Sequence, residues 1–373
     1  MAYLRRKTVF LGDVAQNRDN NLNLLRFLAA ATVALSHSFL LVTGDPESRP
    51  LMKATGFSIG YHAVDIFFVI SGFLVTQSWM RRSSLLDFTV ARALRIYPAL
   101  AVCVMLTALV LLPPLSNTSA AGYFSSFETF SYVVLTASLV SPDGTLPGTF
   151  LTTPVANEVN GSLWTLRYEV LCYAALAFLG MSGILARRKW LIRTAFVIGL
   201  PLAALSLFPI AYADDTILGH FVRFGLCFGL GVLAYEYRAQ IPLHWAGVVF
   251  LFLLTVAMRP YAVFPLSFYL LTAYSAFWLA YIPSGWIRNF NKAGDYSYGL
   301  YIYAYPFQQA LVLTMPNLTP LHLFAVTLAA VLPAAILSWH LVEKPVMAKK
   351  GDAAARLRRL GRWLASRKLM RWI

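Results

Sequence analysis

Residues 24–42 read LLRFLAAATVALSHSFLLV. A run of ~20 predominantly apolar residues is what a helix needs to cross the hydrocarbon core of a bilayer, so this stretch is read as a membrane span. Two ionisable side chains interrupt it, Arg26 and His37, eleven residues apart. Eleven residues make about three turns of helix, which puts both side chains on one face, ~16 Å apart along the axis. Ionisable groups are costly inside a membrane and mark a functional interior by default. The first span is therefore expected to face a polar site rather than lipid.

Outward from that stretch the same composition continues. The 373 residues are 58% hydrophobic and 13% charged, against about 25% charged in a soluble domain. Ten spans can be drawn, at about 22–42, 58–80, 96–115, 163–183, 191–212, 218–236, 243–258, 262–283, 294–315 and 320–342. The apolar stretch FSYVVLTASLV at 130–140 is too short to cross and is read as re-entrant or interfacial. No cleavable leader is expected, because the first twenty residues are polar and the first apolar run is long enough to remain as a span.

The basic residues fix an orientation for this layout. With the N-terminus in the cytoplasm, 25 of the Lys and Arg residues fall on inner segments, 3 on outer loops (Arg49, Lys53, Arg259), and Arg26, Arg167 and Arg223 lie within spans. That asymmetry follows the positive-inside rule and fits an even number of crossings, with both termini cytoplasmic. The net charge of +15 is thereby explained by topology, and nucleic-acid binding is not expected. The expected class is all-α: a polytopic membrane protein with a tail at 1–21, a membrane domain at 22–343 and a basic amphipathic tail at 344–373.

Cys103, Cys172 and Cys227 all fall within spans and are read as packing residues, with neither disulfide nor metal spacing. The longest extramembrane stretch, 116–162, has no Lys or Arg and carries Glu128, Asp143 and Glu158. It is either a solvated outer loop or a cap over a substrate mouth. No internal repeat is visible, unlike many secondary transporters. The segment AAARLRRLGRWLASRKLMRWI at 353–373 reads as a basic amphipathic helix on the anionic inner leaflet, with a disordered tail as the alternative.

Depth estimates bring candidate groups together. His37 lies about fifteen residues from the inner face, or ~22 Å. Asp65, in YHAVDIFFVISGFL, and Glu169, in NGSLWTLRYEVLCY, each lie ~10 Å below the outer face. In a core of ~30 Å the three share one level. A neutral imidazole can take a proton from a hydroxyl, and a carboxylate on its other nitrogen would fix the tautomer. The alternative is that His37 is a satisfied helix contact. In DFTVARALRIYPAL, in the basic loop before span 3, Arg92 and Arg95 share a helical face and suit phosphate binding, or else serve as plain interfacial anchors. Glu343 is expected to pair with one of them. Arg223 and His220 are read as snorkelling near a span end, and no role is given to His62, His244 or His322.

Taken in order, these segments resemble the bacterial membrane acyltransferase-3 family. Arg26 and His37 match its arginine-ten-residues-histidine motif. VDIFFVISGFL (64–74), RALRIYPAL (92–100), GSLWTLRYE (161–169), DYSYGLYIYAYP (295–306) and VEKP (342–345) are similar to its later signatures. The resemblance covers about residues 20–346. It implies transfer of an acyl group, often acetyl from acetyl-CoA, to hydroxyls of cell-surface glycans, lipo-oligosaccharides or small lipophilic products, at the bacterial inner membrane and without a metal. It implies that His37 is catalytic, that Arg26, Arg92 and Arg95 bind the donor, and that Asp65 and Glu169 supply carboxylates. Ala304 stands where many relatives have histidine, so no catalytic role is placed on that span; Tyr298 and Tyr301 are read as packing or as pocket lining.

The resulting expectation is an O-acyltransferase in which acetyl-CoA phosphates sit on Arg92 and Arg95, the arm passes Arg26, and His37, oriented by Asp65, activates a glycan or lipid-linked sugar hydroxyl. O-antigen, exopolysaccharide, a nodulation-type lipo-oligosaccharide and a secreted antibiotic all remain compatible acceptors, acetyl and longer acyl groups compatible donors, and no oligomeric state is specified. A proton-coupled exporter of a sugar or lipid intermediate is the rival; it uses His37, Asp65 and Glu169 as a relay but leaves the paired arginines unexplained. An assembly factor ranks last.

Overall fold

The computed structural model describes residues 8–17, 19–142, 144–207 and 216–369. The basic residues Arg5, Arg6, Lys7 and Arg18, the loop residue Asp143, the end of the fifth expected span and the last residues of the tail, Trp372 among them, lie outside the described residues. Apart from one isolated bridge between Phe10 and Pro242, the described residues are helical or irregular.

Twelve helices carry the description: α1 (Leu22–Thr43), α2 (Ile59–Arg82), α3 (Leu85–Leu106), α4 (Phe127–Ala137), α5 (Trp164–Met181), α6 (Arg188–Thr194, continued through a wide turn to Leu200–Leu205), α7 (Ile217–Glu236), α8 (Trp245–Met258), α9 (Phe264–Tyr281), α10 (Ser297–Thr314), α11 (Pro320–Leu337) and α12 (Lys350–Leu369). A helix among α1–α3 and α5–α11 overlaps each of the ten expected spans, the third shifted toward the N-terminus and the fifth only as far as its described residues go. By length and composition, five helical stretches can cross a membrane: Leu22–Thr43, Ile59–Arg82, Leu85–Leu111, Ile217–Glu236 and Pro320–Ala348. A sixth qualifies if α9 is joined to Trp286–Ala293, from which it bends by 90°.

Local chemistry sets the helix ends. Gly44, at φ 68°, stops α1 in the left-handed conformation that glycine adopts without steric cost. Ser58 and Ser84 begin α2 and α3, their hydroxyls accepting from the Tyr61 and Asp87 backbone N–H groups, as N-cap side chains do. The early start of α3 corrects one expectation: Arg92 and Arg95 lie inside this helix, not in a loop before it.

The core is a bundle in which α2 packs on α1 and α7, and α1 on α10 and α11. The α2–α7 crossing depends on glycine. A Cβ on Gly72 would run into the Phe228 carbonyl oxygen, and one on Gly231 into that of Val69. Small residues permit this close backbone approach between apolar helices. Outside this bundle, α8 leaves Trp245, Phe250, Phe252 and Leu253 exposed, and α6 leaves Phe196 and Val197 exposed. These outward apolar side chains suit a lipid environment rather than water.

Candidate active site

Four helices present site residues at helical spacing. On α1 these are Arg26, Val33 and His37; on α2, Tyr61, Val64 and Phe67; on α5, Thr165 and Glu169; on α10, Tyr298, Tyr301 and Tyr305. Residues three, four and seven apart lie on one face of a helix, so four stripes converge on a common interior. They enclose two cavities. The larger, of about 650 Å³, is lined by His37, Tyr61, Glu158, Trp164, Arg223 and Tyr305 among others. The smaller, of about 40 Å³, is lined by Arg26, Phe67, Glu169 and Tyr298. Val64, Thr165 and Tyr301 line both, and the Tyr301 and Thr165 hydroxyls are 2.6 Å apart in a hydrogen bond. The two cavities are therefore neighbours across that bonded pair.

His37 faces the larger cavity. Its Nδ1 is enclosed and has no hydrogen-bond partner among the described residues. The ring lies edge-on to Tyr305 at 5.0 Å between centroids, and the Tyr305 hydroxyl donates to Glu158 Oε2 at 2.7 Å. Gly161 makes room for this arrangement, because a Cβ there would collide with both Glu158 and Tyr305. Glu158 and Gly161 come from the end of the 116–162 segment, so that segment supplies wall to the cavity. Of the two, Glu158 stands out in the sequence only as one of three acids in the 116–162 segment, and Tyr305 not at all, because aromatic spacing on α10 resembles ordinary packing.

Asp65 does not orient His37. Its Oδ1 accepts from Arg223 Nε at 2.7 Å, its Oδ2 lies 3.8 Å from His62 Nδ1, and it does not line the His37 cavity. Arg223 also donates to the Tyr61 carbonyl. With 3% of its side chain exposed and Asp65 fully buried, Arg223 is a structural cation with a carboxylate partner, which corrects the snorkelling reading. Burying an unpaired charge is costly, and each of these two groups removes that cost for the other. Arg223 reaches the cavity wall; Asp65 acts behind it.

Glu169 is likewise separated from His37. It accepts from Ser71 Oγ at 3.3 Å and from the Tyr173 hydroxyl, and it faces the smaller cavity with Arg26. Equal depth estimated from helix rise thus did not mean a shared pocket.

Below the smaller cavity lies an ion network centred on Asp295. Its Oδ2 accepts from Arg26 Nη1 at 2.5 Å and from Arg95 Nη2 at 2.6 Å. Arg95 Nη1 also donates to Glu343 Oε2 at 3.0 Å, as the expected Glu343 pairing required. Ser297 and Ser338 donate to the two carboxylates. Arg95 is thereby engaged by two acids and is not available as one half of a phosphate clamp. Arg92 differs: its Nε has no partner among the described residues, and its guanidinium lies 5.7 Å from the Tyr173 ring. The central member of the network, Asp295, sits inside the quoted DYSY segment, where nothing local marks it as the partner of Arg26 and Arg95. Ala304 is buried, and no group of three or more His, Cys, Asp or Glu able to hold a metal occurs among the described residues.

Comparisons with known proteins agree with one another. A model of the acyltransferase domain matches residues 19–339. The chain is 32% identical over 345 residues to an O-acetyl transferase of Shigella phage Sf6, covering 88% of this chain and 96% of that protein. It is 30% identical over 365 residues to nodulation protein 10 of Rhizobium leguminosarum bv. viciae, covering 90% of this chain and 95% of that one. A shorter match, 33% identical over 171 residues, covers 45% of this chain and 47% of the exopolysaccharide production protein ExoZ of Rhizobium meliloti (strain 1021). No solved structure matches.

Proposed function

The chain belongs to the acyltransferase-3 family and is a membrane acyltransferase; on that premise we propose that it transfers acetyl from acetyl-CoA to a hydroxyl of a cell-surface or secreted glycan. His37 acts as general base. It takes the proton of the acceptor hydroxyl as that oxygen attacks the thioester carbonyl; the carbon–sulfur bond then breaks, and the proton passes from the imidazole to the departing thiolate, giving an ester and a free thiol. The observation that carries this reading is the His37 imidazole, its Nδ1 enclosed and unpartnered, lining a cavity of about 650 Å³ that adjoins the Arg26 cavity across Tyr301 and Thr165. The acceptor enters the larger cavity, whose volume suits a sugar-sized group. The acyl arm approaches through the smaller one, past Arg26 and Glu169. The names of the O-acetyl transferase and of the exopolysaccharide protein support a glycan hydroxyl as acceptor.

The proposal extends to ten spans in a bacterial inner membrane, with both termini and Arg92 on the cytoplasmic side, where acetyl-CoA is found. It is tested with purified protein in lipid nanodiscs supplied with radiolabelled acetyl-CoA and a glycan acceptor. A general base contributes about 10²–10⁴-fold, so His37→Ala is expected to lower the transfer rate by at least that much at unchanged abundance. A His37→Ala protein that transfers at the wild-type rate would overturn the mechanism.

A further inference from the structure

A third recess lies at the far end of α2 from His37, in the turn between α2 and α3. It encloses about 390 Å³ and is bounded by Ser78, Arg81 and Arg82 of α2, by Asp87 and Ala91 of α3, and by Lys350, the first residue of α12. Its floor is apolar: Trp79 and Phe88 are buried, with ring centroids 5.2 Å apart. Its charge is one-sided. Asp87 is the sole acid among the lining residues, and it already accepts from Arg358 of α12. Arg81, Arg82 and Lys350 make no side-chain hydrogen bond or ion pair with any described residue. Three cations with no partner among the described residues, around a concave, partly apolar recess, attract a compact multivalent anion, and guanidinium groups match phosphate oxygens in charge and geometry.

The recess is continuous in register with the site above. Val64, Phe68, Ser71, Leu74, Ser78 and Arg81 follow one another at three- and four-residue steps along a single face of α2, as the helical period requires. Val64 lines the His37 cavity, Phe68 the Arg26 cavity, and Leu74 and Ser78 the recess. Between the last two, Ser71 donates to Glu169. On α3, Ala91 lines the recess, and its neighbour Arg92 lies over Tyr173, which donates to the same Glu169. From Ser78 to Val64 is ~21 Å along the helix. A donor with phosphates at one end, an extended neutral arm and a reactive thioester at the other has that shape.

We propose that the α2–α3 recess, closed on one side by Lys350 of the C-terminal helix, is a phosphate site that holds the nucleotide end of the acyl donor. It rests on the thioester-donor reading above and replaces the Arg92–Arg95 pair as the phosphate clamp. Anionic lipid headgroups present the same phosphate chemistry, and the experiment separates the two sources.

Full-length protein is assayed in phosphatidylcholine nanodiscs with acetyl-CoA and, in parallel, with acetylpantetheine, which has the thioester arm but no phosphates. The triple variant Arg81→Gln, Arg82→Gln, Lys350→Gln is expected to raise KM for acetyl-CoA by ~10-fold or more, with kcat unchanged and KM for acetylpantetheine unchanged. An unchanged KM for acetyl-CoA overturns the inference and leaves the acetyl-CoA reading standing. A wild-type protein that turns over neither donor overturns that reading, and this inference with it. A defect that appears only in nanodiscs containing phosphatidylglycerol assigns the recess to lipid and also overturns it. Independently of any charge removal, Ser78→Cys should react with maleimide more slowly in the presence of CoA and at an unaltered rate with pantetheine; no protection by CoA has the same negative meaning.

Discussion

At the scale of single residues, the polar interior divides into groups that hold the bundle and groups that face the cavities. Asp65 and Arg223 belong to the first. Removing one partner of a buried pair leaves the other charge stranded, at about 3–5 kcal/mol. Asp65→Asn and Arg223→Met should each lower the thermal unfolding midpoint in detergent markedly, while the double substitution should lose less than the sum of the two, because the stranded charge is gone. Strict additivity would remove the pair from this structural role. Arg95 and Arg92 separate in the same way. Arg95, held by Asp295 and Glu343, should report as stability: Arg95→Gln lowers the unfolding midpoint because Glu343 loses its cation and Asp295 one of its two, Arg26 remaining. Arg92, whose Nε has no partner among the described residues and which lies beside the donor path, should report as function, with Arg92→Gln raising KM for acetyl-CoA and leaving the midpoint near that of wild type. Equal effects of the two substitutions on KM would restore the pair as a clamp.

At the scale of elements, hydrophobic run length placed helices along all ten expected segments, five of the helical stretches long and apolar enough to cross a membrane, because a segment that satisfies its backbone internally in lipid reads as an uninterrupted apolar stretch. It also found the residues that face the interior, since a lone charge in such a stretch has nowhere else to point. It could not find their partners. Pairing of Asp65 with Arg223, or of Arg95 with Asp295, joins residues about 160 to 200 positions apart; Glu343, expected beside Arg92 or Arg95 and bonded to Arg95, is the exception. Helix rise gives depth but not azimuth. That is why Glu169 was grouped with His37 although the bonded Tyr301 and Thr165 stand between their cavities. Nor does an apolar run show which of its glycines are contacts. Gly72 and Gly231 are such contacts, each with a carbonyl oxygen of the facing helix where a Cβ would go. Overpacking of this kind costs about 1–3 kcal/mol and sometimes more. Gly231→Val is thus expected to lower the unfolding midpoint and the yield of folded protein, whereas Gly351→Val, at an open position, should alter neither. A tolerated valine at 231 would mean that α2 and α7 cross less closely.

At the scale of the whole molecule, the direction in which the chain enters the membrane and the direction of the reaction are one question. If the donor is acetyl-CoA, as proposed, its phosphates require cations on the side where CoA is made, and the recess with Arg81, Arg82 and Lys350, the Arg92 position and the Asp295 network all lie toward one end of the bundle, away from His37. The distribution of Lys and Arg, 25 inner to 3 outer, assigns that same end to the cytoplasm by a rule that makes no reference to catalysis. Arg81, Arg82, Arg92 and Lys350 are counted among those 25, but without them 21 inner Lys and Arg still stand against 3 outer, so the proposed orientation does not depend on the donor-side cations. The two inferences share a test. Ser182, after α5, falls on the expected inner side, and Ser138, after α4, on the outer; both are exposed. In intact spheroplasts, a membrane-impermeant maleimide should label Ser138→Cys directly and Ser182→Cys only after permeabilisation. The reverse pattern would set every donor-side arginine facing away from CoA, and the chemistry assigned to His37 would then lack its acyl supply.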